Sequence, residues 1–155
     1  MDALSTARED IEEMRVKLDK GAFMPERAYI LDAGYDIKTP VSITVPPATP
    51  ENGAGKAVVY TKIHVEIPKG YAGFIKSKSG LNLWDDITAE GVVDSGYTGQ
   101  IVVKLYNHGP VEKHFDAGDK ITQLVIGPVF TPDLEQVEEL ADTERGENGF
   151  GSTGK

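Results

Sequence analysis

Lys56-Ala57-Val58-Val59-Tyr60-Thr61-Lys62-Ile63-His64-Val65-Glu66-Ile67-Pro68 is the clearest strand in the chain. Val59, Thr61, Ile63, Val65 and Ile67 fall on one side, and Tyr60, Lys62, His64 and Glu66 on the other. Successive side chains of a strand point to opposite faces, so this period of two predicts a strand with one face in a core. Gln100 to Asn107 repeats the pattern with Ile101, Val103 and Leu105 inward. Lys120 to Phe130 is apolar on both sides, as a buried strand is. Tyr29–Ile37, Val41–Val45, Tyr71–Ser77 and Lys113–Phe115 are further strand candidates. Between them stand turn formers: the loop Pro46 to Gly55, then Pro68-Lys69-Gly70, Asn107-His108-Gly109-Pro110 and Asp116-Ala117-Gly118-Asp119. Val, Ile and Thr together make about 23% of the chain, which with short strands and recurrent turns predicts an all-β barrel or double-sheet jelly roll. Strands do not alternate with long helices, which argues against a Rossmann-type sheet.

The two ends read differently. Thr6 and Glu9 match a capping box, and Ala7, Ile11 and Met14 follow at helical spacing, so a short helix is expected that stops before Val16. Arg145 to Lys155 holds Gly146, Gly149, Gly151 and Gly154, lacks apolar periodicity, and reads as a mobile glycine-rich arm. The expected organisation is an extension at 1–15, a β domain at 16–141 and a C-terminal arm at 142–155.

Composition narrows the function. With 155 residues a single domain is expected, and no cysteine means no disulfide, thiolate zinc site, iron–sulfur cluster or thiol nucleophile. No apolar run approaches the ~18 residues of a membrane helix, and the N-terminus lacks the basic-then-apolar order of a secretory signal. A soluble cytoplasmic protein without a membrane partner is the expectation. The net charge is −9, and residues 1–19 and 133–155 together carry −8 of it. The middle is nearly balanced and shows no basic face able to neutralise many phosphates, so nucleic acid is not an expected partner. A small anion met by a few converging cations and backbone N–H groups remains compatible.

Some sites can be set aside. His64, His108 and His114 stand in no zinc spacing. Gly149 to Lys155 fits G-x-x-x-x-G-K, yet a P-loop needs a strand before it, and none is patterned there. Successive glycines still let N–H groups converge on an anion, against the plainer reading of a flexible polar tail. Gly91-Val92-Val93-Asp94-Ser95-Gly96-Tyr97-Thr98-Gly99 is either a hairpin with a polar tip and a packed Tyr, or a rigid carboxylate that orients water beside an aromatic wall. Ala33-Gly34-Tyr35-Asp36-Ile37 puts an acid inside an apolar strand, where an inward carboxylate needs a partner or a hydrated cation. Lys76-Ser77-Lys78-Ser79-Gly80-Leu81 offers cations and hydroxyls suited to phosphate, or is a solvated basic loop.

Taken together, these segments resemble the five ordered motifs of the trimeric dUTPase family. The first is Ala33 to Ile37, the second Ser77 to Leu81, and the third Gly91 to Gly99. The fourth is Gly118-Asp119-Lys120-Ile121-Thr122-Gln123-Leu124, and the fifth runs from Arg145 to Gly154. The resemblance spans about 33 to 154 and rests on five motifs in order. It implies a dUTPase-like β jelly roll and a homotrimer with shared sites. The first, second and fourth motifs would come from one subunit, the third from a neighbour and the arm from another. It implies dUTP as substrate, hydrolysed to dUMP and pyrophosphate with Mg²⁺, which keeps uracil out of DNA and supplies dUMP for thymidylate synthesis.

By the same resemblance, Asp94 orients and deprotonates the attacking water, and Asp36 reaches Mg²⁺ through water. Ser79, Gly80 and Gln123 hold phosphate oxygens and Lys78 supplies a charge nearby for substrate binding; Arg145, Gly151, Ser152 and Thr153 close over the β- and γ-phosphates. Phe150 stacks on uracil and Tyr97 packs under the deoxyribose. The backbone around Gly91, Val92, Val93 and Val102 reads the base. This chain departs from the family pattern at Lys78, where Arg is usual, at Thr88, where many members have Asn, and at Asn148, often Gly. Lysine keeps the charge but loses the bidentate fork. Two rival functions follow: a dCTP deaminase-type relative, with Glu90 as the spare acid, and a catalytically idle nucleotide-binding regulator.

Overall fold

A computed structural model describes residues 13–154. The helix expected from Thr6 to just before Val16 lies mostly outside the described residues, and the three of its positions that fall inside are not helical: Glu13 and Met14 form no regular element and Arg15 opens a strand. Among the described residues the fold is all-β with one short helix. Its strands are β1 (Arg15–Leu18), β2 (Gly34–Lys38), β3 (Ile43–Val45), β4 (Gly55–Tyr60), β5 (Ile63–Glu66) and β6 (Tyr71–Lys76). The helix α1 (Ser79–Asp85) follows, then β7 (Ile87–Thr88), β8 (Glu90–Val93), β9 (Val102–Asn107), β10 (Lys113–Phe115) and β11 (Lys120–Pro128). A four-stranded sheet runs β2-β11-β6-β8, a three-stranded sheet β4-β9-β7, and two pairs join β1 to β5 and β3 to β10. Every ladder is antiparallel, and neighbours in the sheets are mostly distant in sequence, as in a jelly roll.

The stretch from Lys56 to Pro68 is two strands rather than one. β4 pairs with β9, and β5 pairs with β1. The break sits at Lys62, whose φ of 61° is uncommon outside glycine. The turn is anchored: Thr61 donates its N–H (3.1 Å) and Oγ1–H (2.7 Å) to the Ile101 carbonyl, and Ile101 N–H donates to the Ile63 carbonyl at 2.8 Å. One segment thereby serves two ladders, yet the expected face holds throughout: Val59, Thr61, Ile63, Val65 and Ile67 are all buried. The four apolar ones form one core with Ile37, Ile75, Ile87, Ile101, Val103, Leu105, Phe115, Ile121 and Leu124.

Other boundaries differ from expectation. The Tyr29–Ile37 strand shrinks to β2, because Tyr29 to Asp32 is a turn closed by Asp32 N–H to the Tyr29 carbonyl (3.0 Å) and Tyr29 N–H to Asp32 Oδ2 (3.0 Å). β11 ends at Pro128, and only its first half is deeply buried; Phe130 is exposed. The helix α1 was not anticipated: seven residues, none of them buried, ended by Asp86 in a left-handed conformation. From residue 131 to 148 the chain is exposed throughout and forms no regular element. Among the described residues no helix is long and apolar enough to cross a membrane.

Candidate active site

β8 lies at the edge of its sheet. Its register against β6 matches Gly73 with Val93 and Ile75 with Gly91, and among the described residues it joins no other ladder. One side of its backbone is therefore free to donate and accept hydrogen bonds, which an unpaired sheet edge always offers. That side opens on a cleft of about 280 Å³, near the lower end of the ~300–1,000 Å³ usual for small-molecule sites. Gly91, Val92, Val93, Asp94, Tyr97 and Val102 all line it, so six of the sequence-predicted residues meet in one place. Ile75, Gln100 and Ile101 complete the lining and were not anticipated.

Asp94 follows β8 directly and is exposed at the cleft. The loop behind it is braced at several points. Tyr97 N–H donates to the Asp94 carbonyl at 3.0 Å, and Ser95 Oγ–H donates to the Ile67 carbonyl at 2.9 Å. The Tyr97 hydroxyl donates to the Gln100 carbonyl at 2.7 Å, which fixes the ring as a wall. Gly99 makes room for that ring, since a Cβ there would stand 2.5 Å from the Tyr97 hydroxyl. Glu90 does not line the cleft: it is exposed and ion-paired with Lys76 across the β6–β8 ladder.

A second group gathers at the opposite side of the sheet. Asp36, on β2, is 3% exposed. Its Oδ1 pairs with Lys78, which directly precedes α1, and its Oδ2 lies 3.1 Å from Lys120 Nζ at the start of β11. Burial on its own pushes this carboxyl up; the hydrogen bonds and charges of Lys78 and Lys120 outweigh it and hold it below the ordinary range. The partner that an inward acid demands is thus supplied twice over, and neither lysine was anticipated in that role. Gln123, on β11, donates its amide Nε2–H to the Ser77 carbonyl at 2.8 Å. Its side chain lies against Gly34, where a Cβ would come within 2.0 Å of Gln123 Oε1. Ser79 and Gly80 are exposed beside Lys78.

The remaining candidates stand apart. Arg145, Phe150, Gly151, Ser152 and Thr153 lie in the exposed tail. Arg145 Nε donates to the Asn148 carbonyl at 2.5 Å, and Phe150 and Gly151 have φ of 50° and 95°. Among the described residues, no hydrogen bond or ion pair joins 145–154 to either group. Asp36 and Asp94 also belong to opposite edges of one sheet. Three strand spacings separate those edges, about 14 Å. No cluster of three or more His, Asp or Glu able to hold a metal occurs among the described residues.

The sequence and the fold are both similar to known proteins. The family model described as dUTPase matches residues 20–154. A deoxyuridine 5'-triphosphate nucleotidohydrolase of Cutibacterium acnes is 43% identical over 135 residues, covering 84% of this chain and 85% of that protein. One from Solanum lycopersicum is 40% identical over 141 residues, covering 89% and 79%. Among solved structures, the dUTPase of Staphylococcus bacteriophage 80alpha with dUpNHpp superposes with a TM-score of 0.82 at 33% identity, covering 94% of this chain and all of that one. A mutant dUTPase from phage phi11 of S. aureus, solved for the coordination of a structural Mg(II) ion, matches with a TM-score of 0.72 at 31% identity, covering 82% and 97%.

Proposed function

The chain belongs to the dUTPase family and hydrolyses dUTP, and from that premise we propose how its residues divide the work. The observation that carries the reading is a carboxylate, Asp94, at a cleft lined by the free backbone of an edge strand. Uracil pairs with that backbone around Gly91 to Val93 and with the backbone of Val102 at the start of β9. Backbone donors and acceptors have fixed polarity, so cytosine, whose exocyclic group reverses the pattern, leaves buried polar groups unpaired and is rejected. Tyr97, braced on Gln100, packs under the deoxyribose and leaves no room for a 2′-hydroxyl. Asp94 accepts a proton from the water that attacks the α-phosphorus in line; the P–O bond to the β-phosphate breaks and pyrophosphate departs with its electron pair. The products are dUMP, usable for thymidylate synthesis, and pyrophosphate, and uracil is kept out of DNA.

The triphosphate is held by Lys78, Ser79, Gly80 and Gln123, and the arm closes over it with Arg145, Gly151, Ser152 and Thr153 while Phe150 stacks on the base. Gln123 would use its second amide hydrogen, the first being engaged on Ser77. The donor set does not suit a metal cage made by the protein alone, because each Asp36 oxygen already faces a lysine. It does suit an outer role. Each carboxylate oxygen keeps a free lone pair that can accept from a water on an ion bound to the triphosphate. Mg²⁺ there would spread the charge of the phosphate oxygens. The ~14 Å between the edges that carry Asp36 and Asp94, together with the detached arm, supports sites completed between subunits of a homotrimer. The division keeps an extension, a β domain and an arm at the limits expected above (1–15, 16–141, 142–155), and a cytoplasmic setting fits the substrate.

Deamination of dCTP is the competing chemistry. It loses support because Glu90, the spare acid, is paired with Lys76 away from the cleft. The test is a panel of dUTP, dCTP, dTTP and UTP with Mg²⁺ and product analysis. Pyrophosphate from dUTP alone supports the reading, and ammonia from dCTP overturns it. In the same assay Asp94→Asn should lower turnover by at least ~10²–10⁴-fold while nucleotide binding survives. Unchanged turnover would remove Asp94 from the mechanism.

A further inference from the structure

His64, on β5, is held between two groups that can only accept. Its Nε2 lies 2.8 Å from Asp19 Oδ2, and its Nδ1 lies 2.8 Å from the backbone carbonyl of Thr98. A neutral imidazole has a single N–H and can satisfy only one of them; the imidazolium has two and satisfies both. Thr98 belongs to the loop that carries Asp94 and stands next to Tyr97. From this geometry we propose that His64 is a positioning residue for the Asp94–Tyr97 loop, latching it to the β1–β5 pair only while the imidazole is protonated. This rests on the active-site reading given above.

The surroundings favour the charged form. The hydrogen bond to Asp19 is the main influence raising the His64 pKa, and that to Thr98 comes next. Asp19, bonded to His64, is in turn held below the ordinary carboxylate range, so it stays an acceptor. The other charged groups lining this face are Lys17, 3.7 Å from Asp19 Oδ1, and Arg15 and Glu66, which bond to each other. Lys17 opposes protonation of His64 but does not outweigh Asp19. Because the folded pKa is raised, the latch is complete below the ordinary value of about 6.5 and is lost as pH rises through the folded value. Once neutral, the ring keeps its proton toward the carboxylate, the stronger acceptor, and turns a lone pair on the Thr98 carbonyl. The loop then loses its tie next to the Tyr97 wall, while the bond from Ser95 to Ile67 keeps the Asp94 end in place. Substrate affinity should suffer more than chemistry.

Two measurements on the full chain test this. In the first, the His64 ring is titrated by NMR alongside the Thr98 and Gly99 amides, with no turnover involved. The expected result is a His64 pKa above 6.5 with both amides following it; amides that ignore the His64 titration overturn the proposal. In the second, KM and kcat for dUTP are followed from pH 6 to 9 in the wild type, His64→Gln and Asp19→Asn. The wild-type KM should rise by about threefold to tenfold through the His64 pKa, the effect of one hydrogen bond. His64→Gln should lack that rise. Asp19→Asn should lack it too and keep the low KM, since an Asn amide can donate to neutral Nε2 while Nδ1–H stays on Thr98. A rise that persists in both variants overturns the latch even if Asp94 proves to be the base.

Discussion

A buried carboxylate is tolerable only if its charge is answered, and Asp36 is answered by two lysines that come from different elements, one before α1 and one on β11. Lys120→Met should therefore leave one oxygen poorly satisfied and destabilise the fold by about 1–3 kcal/mol at pH 7. Because the folded carboxyl lies below its ordinary value, its contribution is present above about 3.8 and fades as pH falls through the folded value. Urea unfolding of wild type and Lys120→Met should thus give curves that converge below that pH; a gap that stays constant would assign the loss to something other than Asp36. Gln123 makes a second residue-scale case. Its amide reaches Ser77 only because Gly34 has no Cβ. Gly34→Ala should displace it and raise KM for dUTP, with the far cleft and its base selectivity unchanged. The need for a partner at Asp36 was legible in the sequence as an acid inside an apolar strand. The identity of that partner was not, since strand order alone brings β11 beside β2.

At the scale of elements, the alternation from Val59 to Ile67 correctly gave the buried face and said nothing of the break. Alternation constrains which side a residue faces; it is blind to a switch of ladder partner that preserves the face. The bend at Lys62 is set by Ile101, a residue that directly precedes β9 and is far away in sequence. The helix α1 escaped for a related reason: seven residues make two turns, too few for a periodic signal, and none is buried. The cleft was more legible, because Gly91 to Gly99 is a contiguous stretch whose odd chemistry survives without tertiary knowledge. The arm is the element with the clearest test. Its bonds are local, and the last backbone tie to the body among the described residues is Val129 N–H to the Gly70 carbonyl at 2.9 Å. Deleting 145–155 should therefore leave the thermal melting of the body unchanged within a few degrees while turnover of dUTP collapses. Full activity in the truncated protein would sink the role of the arm as a lid.

The whole molecule poses a question of charge and of exposed surface. A net charge of −9 looks unsuited to a triphosphate, but the excess lies at the two ends, and the phosphates are expected to meet Lys78, Arg145 and backbone N–H groups locally. Global charge is the wrong scale for a single small anion. Exposed apolar surface is more informative. Phe130, Leu134, Val137 and Leu140 are 84%, 95%, 50% and 86% exposed along a segment that forms no regular element. Burying such a side chain is worth roughly 1.5–3 kcal/mol, so four left in water in one extended stretch would be a substantial loss for a monomer. A second copy of the chain would recover it, and it would also bring an arm to a site whose own arm is detached. Under the homotrimer proposed above, sedimentation at micromolar concentration should give three times the chain mass. Replacing Leu134, Val137 and Leu140 together by Ser should move dissociation to at least about tenfold higher concentration, even if only one of the three buries fully. Under the proposed sharing of sites, specific activity should fall on dilution along the same curve as the assembly, because a site shared between chains exists only there. A wild type that sediments as a monomer with full activity would overturn shared sites, and an unshifted dissociation in the triple variant would move the interface elsewhere.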